Sequence, residues 1–335
     1  MLRQLRRRMV LSLAFGILVI VILGIKADLK QTVRVLVAFD WSLLPLVLIL
    51  TSFNYFGRFL KWQFYLRRLH SATAPSASAL IFVSGFSMVL TPGKVGELLK
   101  SYLLRQVNGT PIARSAPIVL AERLTDGLAL LVLGLAGLLL YRQGWKVLLL
   151  ILILAIILIA VVQNRRAAVV VIKWLGRMPL VARIVQHVWT AYESSYTLLQ
   201  RDALIVGLML GILSWSGECV AFFVILRGLG IGGSMPVLRL LVVAAFILAS
   251  TTLVGSASLL PGGLGVADGG IAGLLHVIFR VPLDVSVAAT LLIRFCTLWF
   301  GASLGVIALM VFSHRYGGIV ASSDATVELS HQADV

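Results

Sequence analysis

Long apolar runs constrain this 335-residue chain more than any other feature of its sequence. A helix needs about 20 apolar residues to cross the hydrocarbon core of a bilayer. The chain is 60% hydrophobic and only 13% charged, which is too apolar for a soluble domain. The pattern predicts an all-α polytopic membrane protein with about six transmembrane helices. The predicted spans are Met9–Ile25, Trp41–Gly57 extending toward Trp62, Pro117–Tyr141, Val147–Val162, Ala203–Leu226 and Val285–Phe312.

Two further apolar stretches are interrupted by Pro-Gly pairs. Ala79–Leu90 is too short to cross a bilayer and is followed by Pro92-Gly93, while Leu240–Ala267 is broken at Pro261-Gly262. Broken backbone at membrane depth is stable only where it is buried in protein or lines a cavity. We therefore predict two re-entrant helical hairpins with Pro-Gly tips. The alternative for the second stretch is a plain span followed by a shorter one.

The basic residues predict the topology. The formal charge is +16, from 29 Lys and Arg against 13 Asp and Glu. With the N-terminus inside, 19 basic residues fall in cytoplasmic segments, 8 fall outside, and Arg123 and Arg294 lie within spans. Basic residues accumulate on the cytoplasmic side of membrane proteins. The charge is therefore attributed to membrane topology rather than to nucleic-acid binding, and both termini are predicted to be cytoplasmic.

Three segments outside the apolar core complete this prediction. The N-terminal run is interpreted as an uncleaved span because no A-x-A cleavage site follows it. The basic, aromatic stretch 163–201 is either an amphipathic helix on the cytoplasmic surface or an ordinary basic loop. The tail 313–335 is polar and expected to be disordered.

The sequence contains an internal repeat. P-G-x-x-G occurs at Pro92-Gly93 with Gly96 and again at Pro261-Gly262 with Gly265. An acid follows each motif, and an arginine follows each acid at the same spacing of 26 residues, giving Glu97 with Arg123 and Asp268 with Arg294. Upstream of the motifs, Gly57-Arg58 corresponds to Gly217-Glu218, and Arg67-Arg68-Leu69 corresponds to Arg227-Gly228-Leu229.

The repeated units lie at about 41–141 and 204–312 of a single membrane domain 1–312. They have opposite orientations in the counted topology. Inverted repeats with broken helices are typical of transporters whose site lies near the midplane of the bilayer. The alternative is a duplicated scaffold without a transport role.

Charged residues within the apolar runs are the candidate site. A charge at the bilayer centre costs about 2.5–3.5 kcal/mol, so such residues usually face a cavity and form pairs. Arginine forks match phosphate oxygens, whereas the acids could hold the arginines, a proton or a cationic headgroup. The alternative is that acids and arginines only neutralise each other. The candidate substrate-binding residues are Glu97, Glu122, Arg123, Asp126, Glu218, Asp268 and Arg294.

No residue pattern supports catalysis. Cys219 and Cys296 both lie in apolar runs, and the five histidines are scattered. Ser250, Ser256 and Ser258 have no histidine base beside them in the sequence. The chain is therefore expected not to be an enzyme and to need no metal or cofactor.

Three motifs resemble the transmembrane family of lysylphosphatidylglycerol synthases, also called the flippase-like family. They are T-P-G-K-V-G-E-L-L-K-S-Y-L-L at 91–104, A-E-R-L-T-D at 121–126 and L-P-G-G-L-G-V at 260–266. The resemblance implies the lipid translocase half of such proteins without the synthase half. The family motif residues in this chain are Pro92, Gly93, Gly96, Glu97, Glu122, Arg123, Pro261, Gly262, Gly265, Asp268 and Arg294. Family members often have G-V-R-E where this chain has Gly265-Val266-Ala267-Asp268, which leaves the headgroup specificity open.

The leading hypothesis is a multi-pass lipid translocase of the bacterial inner membrane. Its expected partners are membrane lipids with an anionic or lipid-linked headgroup, a lipid-synthesising enzyme and a second copy of the chain, and no nucleic acid. The alternatives are a lipid-modifying enzyme or its accessory subunit, and a non-transporting scaffold that recruits a synthase through 163–201. A cavity between the hairpins favours the first hypothesis, a bound metal the second, and a tightly packed interior the third.

Overall fold

The computed structural model describes residues 28–89, 91, 96–140, 145–175, 185–258 and 260–333. Every regular element in these ranges is helical. The protein is thus an all-α polytopic membrane protein, as predicted. The predicted span Met9–Ile25 and the first hairpin tip, Pro92-Gly93, lie outside the described residues. Within them, the stretches long and apolar enough to cross a membrane are Trp41–Arg68, Arg201–Gly228, Val237–Ala257, Pro261–Phe279 and Leu283–Gly317.

We number the described α-helices α1 to α13 along the chain. The first group is α1 (Leu29–Ala38), α2 (Leu44–Arg68), α3 (Pro75–Ser84), α4 (Leu99–Asn108) and α5 (Ile112–Leu140). The connecting helices are α6 (Trp145–Gln163), α7 (Arg165–Leu175) and α8 (Val185–Leu198). The last group is α9 (Arg201–Gly228), α10 (Val237–Ala257), α11 (Val266–Phe279), α12 (Leu283–Arg294) and α13 (Phe300–Ala333). Short 3₁₀ turns cover Trp41–Leu43, Gly85–Met88 and Pro261–Gly263, and a π-helical turn covers Phe295–Trp299.

Local sequence signals account for several helix boundaries. The side chain of Asp28 accepts hydrogen bonds from the amides of Lys30 and Gln31 and so caps α1. α3 begins with Pro75, whose missing amide hydrogen costs nothing in a first turn. α4 ends at Asn108 and is followed by Gly109, whose φ of +73° glycine adopts without strain.

The ends of α2 and α9 have the same backbone geometry. After α2, the amide of Ser71 donates to the carbonyl oxygen of Leu66 over 2.9 Å. After α9, the amide of Ile231 donates to the carbonyl oxygen of Leu226, also over 2.9 Å. The residue before each donor has a positive φ, +52° in the first turn and +71° in the second. The two helices therefore end in equivalent turns, at positions that correspond when Gly57 is aligned with Gly217.

α2 and α9 cross at these two glycines, which correspond in the sequence repeat. A Cβ atom on Gly57 would come within 2.7 Å of the Cβ of Ser214, and one on Gly217 within 2.8 Å of a ring carbon of Phe53. Small residues let helix backbones approach closely in membrane proteins. At the same crossing, the amide nitrogen of the buried Asn54 side chain donates to the carbonyl oxygen of Ser214 over 3.0 Å. This crossing joins the two groups of helices.

The helix break predicted in the second apolar stretch lies at Pro261-Gly262, as the sequence predicts. α10 ends at Ala257, a turn covers Pro261–Gly263, and α11 begins at Val266. α10 has 21 residues, about 30 Å, which is long enough to cross the hydrocarbon core. Its length favours the alternative of a span followed by a shorter helix. In the first hairpin both arms, α3 and α4, are short. Re-entrant insertion stays a prediction for both.

The structure corrects the assignment of three basic residues to cytoplasmic segments. α2 does not end near Trp62 but continues through Arg58 and Lys61 to Arg68. The side chain of Lys61 is 1% exposed, and Lys100 is buried in α4. Both lysines have acidic partners, which allows them to lie in an apolar interior. The remaining count, sixteen inside against eight outside, keeps the same asymmetry.

Two segments outside the apolar core, the connector 163–201 and the tail 313–335, contain helices. In 163–201 the described residues form α7 and α8, and the Tyr192 hydroxyl donates to the carbonyl oxygen of Val162 over 3.1 Å. α8 thus packs against α6 rather than lying alone on the surface. The expectation of a disordered tail at 313–335 is wrong, because α13 continues as helix to Ala333. No proline follows Phe312 to end that helix.

The glycine crossing predicts a position-specific effect on stability. Gly57→Ala should lower the melting temperature of the purified protein in detergent, because the new Cβ meets Ser214 at 2.7 Å and overpacking typically costs about 1–3 kcal/mol. Gly269→Ala in α11 is the matched control, since a Cβ there meets nothing within 4 Å. A Gly57→Ala protein as stable as the Gly269→Ala protein would contradict the crossing.

Candidate functional site

A cavity of about 140 Å³ lies between the two groups of helices. Its walls come from helices of both groups, from the turn at Pro261–Gly263, and from residues within and beside the π-helical turn. The charged side chains that line it are Arg58, Glu97, Lys100, Arg123, Glu218 and Arg294. Four of the predicted site residues therefore meet at one cavity, although they are far apart in the sequence.

The first acid–arginine pair is a two-point ion pair. The Nε of Arg123 donates to Oε2 of Glu97 over 2.9 Å, and its Nη2 donates to Oε1. Glu97 is 6% exposed, so the pair neutralises a carboxylate that would otherwise be buried as an isolated charge. The pair fixes the start of α4 against the middle of α5.

The second acid–arginine pair has the same spacing in the sequence as the first but a different geometry. The Nε of Arg294 donates to Oδ1 of Asp268, while Oδ2 accepts the amide of Gly265 over 2.8 Å and so caps α11. The shorter carboxylate is shared between a helix end and an arginine, and the Nη2 of Arg294 is buried without a hydrogen bond among the described residues.

The second glycine of each P-G-x-x-G motif is required for a different physical reason. A Cβ on Gly96 would come within 2.4 Å of the Cβ of Met88, so close packing excludes a side chain there. Gly265 has a φ of +84°, which favours glycine. In the turn before it, Gly262 has a φ of +59°, and its carbonyl oxygen accepts a bond of 3.5 Å from Arg294. Both motifs thereby place an acid at the start of the helix that follows.

Glu122 and Asp126 are placed differently from the other predicted site residues. Neither lines the cavity. Lys100 donates to Oε2 of Glu122 over 2.5 Å, and Lys61 donates to Oδ1 of Asp126 over 2.5 Å. Both carboxylates are 3% exposed and bridge α5 to neighbouring helices. Their geometry is that of structural ion pairs.

These lysine pairs are specific to the first repeat. When Gly57 is aligned with Gly217, Lys61 corresponds to Ala221. When Glu97 is aligned with Asp268, Asp126 corresponds to Thr297, and both members of the Lys100–Glu122 pair correspond to isoleucines. In each of these pairs the lysine and the carboxylate are both present in the first repeat and both absent from the second. This is expected if each charge needs the other for neutralisation in an apolar interior.

Sequence reasoning missed Tyr55 and Lys100. The hydroxyl of Tyr55 donates to the carbonyl oxygen of Thr297 over 2.6 Å, within the π-helical turn that follows Arg294. The same carbonyl oxygen also accepts the amide of Phe300, so the Tyr55 hydroxyl adds a bond from α2 to the π-helical turn. Lys100 lies over the rings of Trp62 and Phe82 at 4.7 and 5.4 Å. Lys100 follows the predicted hairpin tip by only a few residues, and this position was the sequence signal that could have identified it as a site residue.

A second cavity, of about 410 Å³ and apolar, lies on the other side of the Asp268–Arg294 pair. Both residues of the pair line it, and Arg294 lines the first cavity as well. Its remaining walls are apolar apart from Thr290 and include Trp41 and Trp299. Arg294 thus stands between a charged cavity and an apolar one.

Among the described residues, no group of three His, Cys, Asp or Glu side chains could hold a metal ion.

The buried lysine pairs predict non-additive effects on stability. Asp126→Asn should lower the melting temperature strongly, because it leaves Lys61 buried and unpaired, a change that costs about 3–5 kcal/mol in soluble proteins. Lys61→Met/Asp126→Asn should recover most of the loss. Glu193→Gln, in the exposed pair with Arg165, is the control and should change stability by about 1 kcal/mol or less. A double variant no more stable than Asp126→Asn would contradict the pairing.

Comparison with known proteins identifies the family. The family described as "Lysylphosphatidylglycerol synthase TM region" matches residues 9–305. Three similar proteins are each called "UPF0104 membrane protein", from Methanothermobacter thermautotrophicus. Two of these relatives are 34% identical to this chain in the aligned region. The alignments cover 34% and 33% of this chain and only 32% and 30% of the relatives. The third is 23% identical over 93% of this chain and 95% of its own length. The chain therefore belongs to the lysylphosphatidylglycerol synthase transmembrane-region family.

Proposed function

We propose that this protein is a lipid translocase that moves a phospholipid or lipid-linked headgroup across the bilayer through the charged cavity. The observation that carries the proposal is the pair of arginines, Arg123 and Arg294, that face one cavity from equivalent positions. Each is held by an acid that comes 26 residues earlier. Ionisable residues within membrane segments usually mark a substrate or ion pathway.

The chemistry of the site suits a phosphate. A guanidinium binds two phosphate oxygens at once, and Nη2 of Arg294 has no hydrogen bond to satisfy it among the described residues. A phosphate at that position would supply the missing acceptor. The lipid chain would lie in the adjoining apolar cavity, which shares Arg294 with the charged one. The acids would retain the arginines when no lipid is bound.

The proposal includes an inverted repeat and a topology. The two units would be oppositely oriented in the membrane, and exposure of the cavity to either side would alternate as one unit moves against the other. The sixteen-to-eight distribution of basic residues supports cytoplasmic termini and a cytoplasmic 163–201 in a bacterial inner membrane. No chemical step is assigned to the protein. A lipid-synthesising enzyme and a second copy of the chain are proposed partners.

The central prediction concerns the arginines. In proteoliposomes, Arg123→Ala and Arg294→Ala should each abolish movement of fluorescent phospholipid, and Arg→Lys should restore it only partly because the planar fork is lost. Arg165→Ala, on the exposed connector, is the matched control and should leave transport unchanged. Melting temperatures measured on the same preparations separate loss of function from loss of fold.

Two outcomes would contradict the proposal. Wild-type transport by a stable Arg123→Ala/Arg294→Ala protein would eliminate the phosphate role. If instead stability collapses with activity, Glu97→Gln/Arg123→Gln removes both charges of a pair at once. Recovery of fold and transport together in that variant would mean that the arginine only neutralises the glutamate.

The topology predicts the labelling of single cysteines by a membrane-impermeant maleimide in intact cells. In a variant with Cys219 and Cys296 replaced by serine, Ser234→Cys should react from outside, because it lies exposed between α9 and α10. Gln186→Cys in α8 should react only after the cells are opened. Labelling of Gln186→Cys in intact cells would reverse the orientation.

A further inference from the structure

Two charges in the cavity lack the close partners that the other charges have. The four tight pairs join Glu97 to Arg123, Lys100 to Glu122, Asp268 to Arg294 and Lys61 to Asp126. After these, Arg58 and Glu218 remain among the charged residues that line the cavity. A charge without a close partner in an apolar interior indicates a function, because burying it that way is costly.

Glu218 has no hydrogen bond or ion pair within 4.0 Å in the part of the chain that the structure describes. The acidic residue nearest Arg58 is Asp126, with 3.8 Å between Arg58 Nε and Asp126 Oδ2, and Asp126 gives its other oxygen to Lys61 at 2.5 Å. Arg58 also lies 5.7 Å from the centre of the Phe86 ring. The Arg58 side chain is 17% exposed, and its ion pair is longer than the others among the described residues.

The two residues occupy equivalent positions in the repeat. Arg58 follows Gly57 in α2, and Glu218 follows Gly217 in α9. Because α2 and α9 pack closely at these glycines, one cation and one anion stand next to this contact, and both line the same cavity. They do not form an ion pair with each other. A molecule with separated negative and positive groups would satisfy both.

We infer that Arg58 and Glu218 recognise a phospholipid headgroup that carries both a phosphate and a primary ammonium, as phosphatidylethanolamine does. Arg58 donates to the phosphate oxygens, and Glu218 accepts from the ammonium. This inference rests on the proposed function and adds its substrate class. A headgroup with a phosphate but no ammonium leaves Glu218 without a partner, which disfavours its binding.

The test is lipid binding by the full-length protein, measured by native mass spectrometry. The probes are phosphatidylethanolamine, phosphatidylglycerol and N-acetylphosphatidylethanolamine, the last of which keeps the phosphate but has no ammonium charge. Wild-type protein should retain phosphatidylethanolamine about tenfold over either competitor, the change expected for one charged hydrogen bond. Glu218→Gln should bring that ratio close to one, and Arg58→Gln should weaken retention of all three lipids. Glu193→Gln, on the exposed connector, should keep the wild-type ratio.

Equal retention of the three lipids by wild-type protein would overturn the inference, and so would a folded Glu218→Gln protein that keeps the wild-type ratio. The transport assay separates this failure from failure of the proposed function. If arginine-dependent transport occurs without headgroup preference, only the inference fails. If ethanolamine-selective, Glu218-dependent binding occurs without any transport, the translocase proposal fails and the binding site stands.

Discussion

Neutralisation of charge inside an apolar helix bundle is the constraint on which this structure depends. A carboxylate or an ammonium that leaves water must find an opposite charge or a set of hydrogen bonds. Glu97 meets this requirement through Arg123, and Asp268 through Arg294 and the start of α11. The first pair ties the start of α4 to α5, and the second ties α11 to the end of α12. The pairs thereby bring an arginine from each half to the wall of the charged cavity.

Close contact between backbones is the second requirement, and small residues provide it. Gly57 and Gly217 allow α2 and α9 to cross with no room for a side chain between them. Because Arg58 and Glu218 come directly after these glycines, the crossing also places two charges at the cavity. Packing and chemistry are thus linked by adjacent residues in each half. A change in the crossing would move the charges as well.

The two halves share an arrangement of helices but differ in their buried ion pairs and in local helix geometry. The first half has two additional buried lysine–carboxylate bridges, Lys61–Asp126 and Lys100–Glu122. The second half has apolar or uncharged residues at those positions and a π-helical turn directly after Arg294. π-turns occur frequently at functional sites, because they alter the helix locally. The second half therefore departs from regular α-helix directly beside its arginine, whereas the first half has extra ion pairs.

The sequence by itself determined the membrane class, the helical fold and the equal spacing of 26 residues from each candidate acid to its arginine, because length, hydropathy and a repeated spacing are properties of the chain. The spacing alone left open whether the acids hold the arginines, a proton or a cationic headgroup. The sequence also placed the helix break at Pro261, since proline and glycine act locally. It did not reveal that Glu122 and Asp126 bind lysines, that α2 continues past Lys61, or that the tail is helical. Only the tertiary structure decided which charges are neutralised by a neighbour and which, like Arg58 and Glu218, remain facing the cavity. Those partners come from helices 22 to 65 positions away, and no local pattern encodes such contacts.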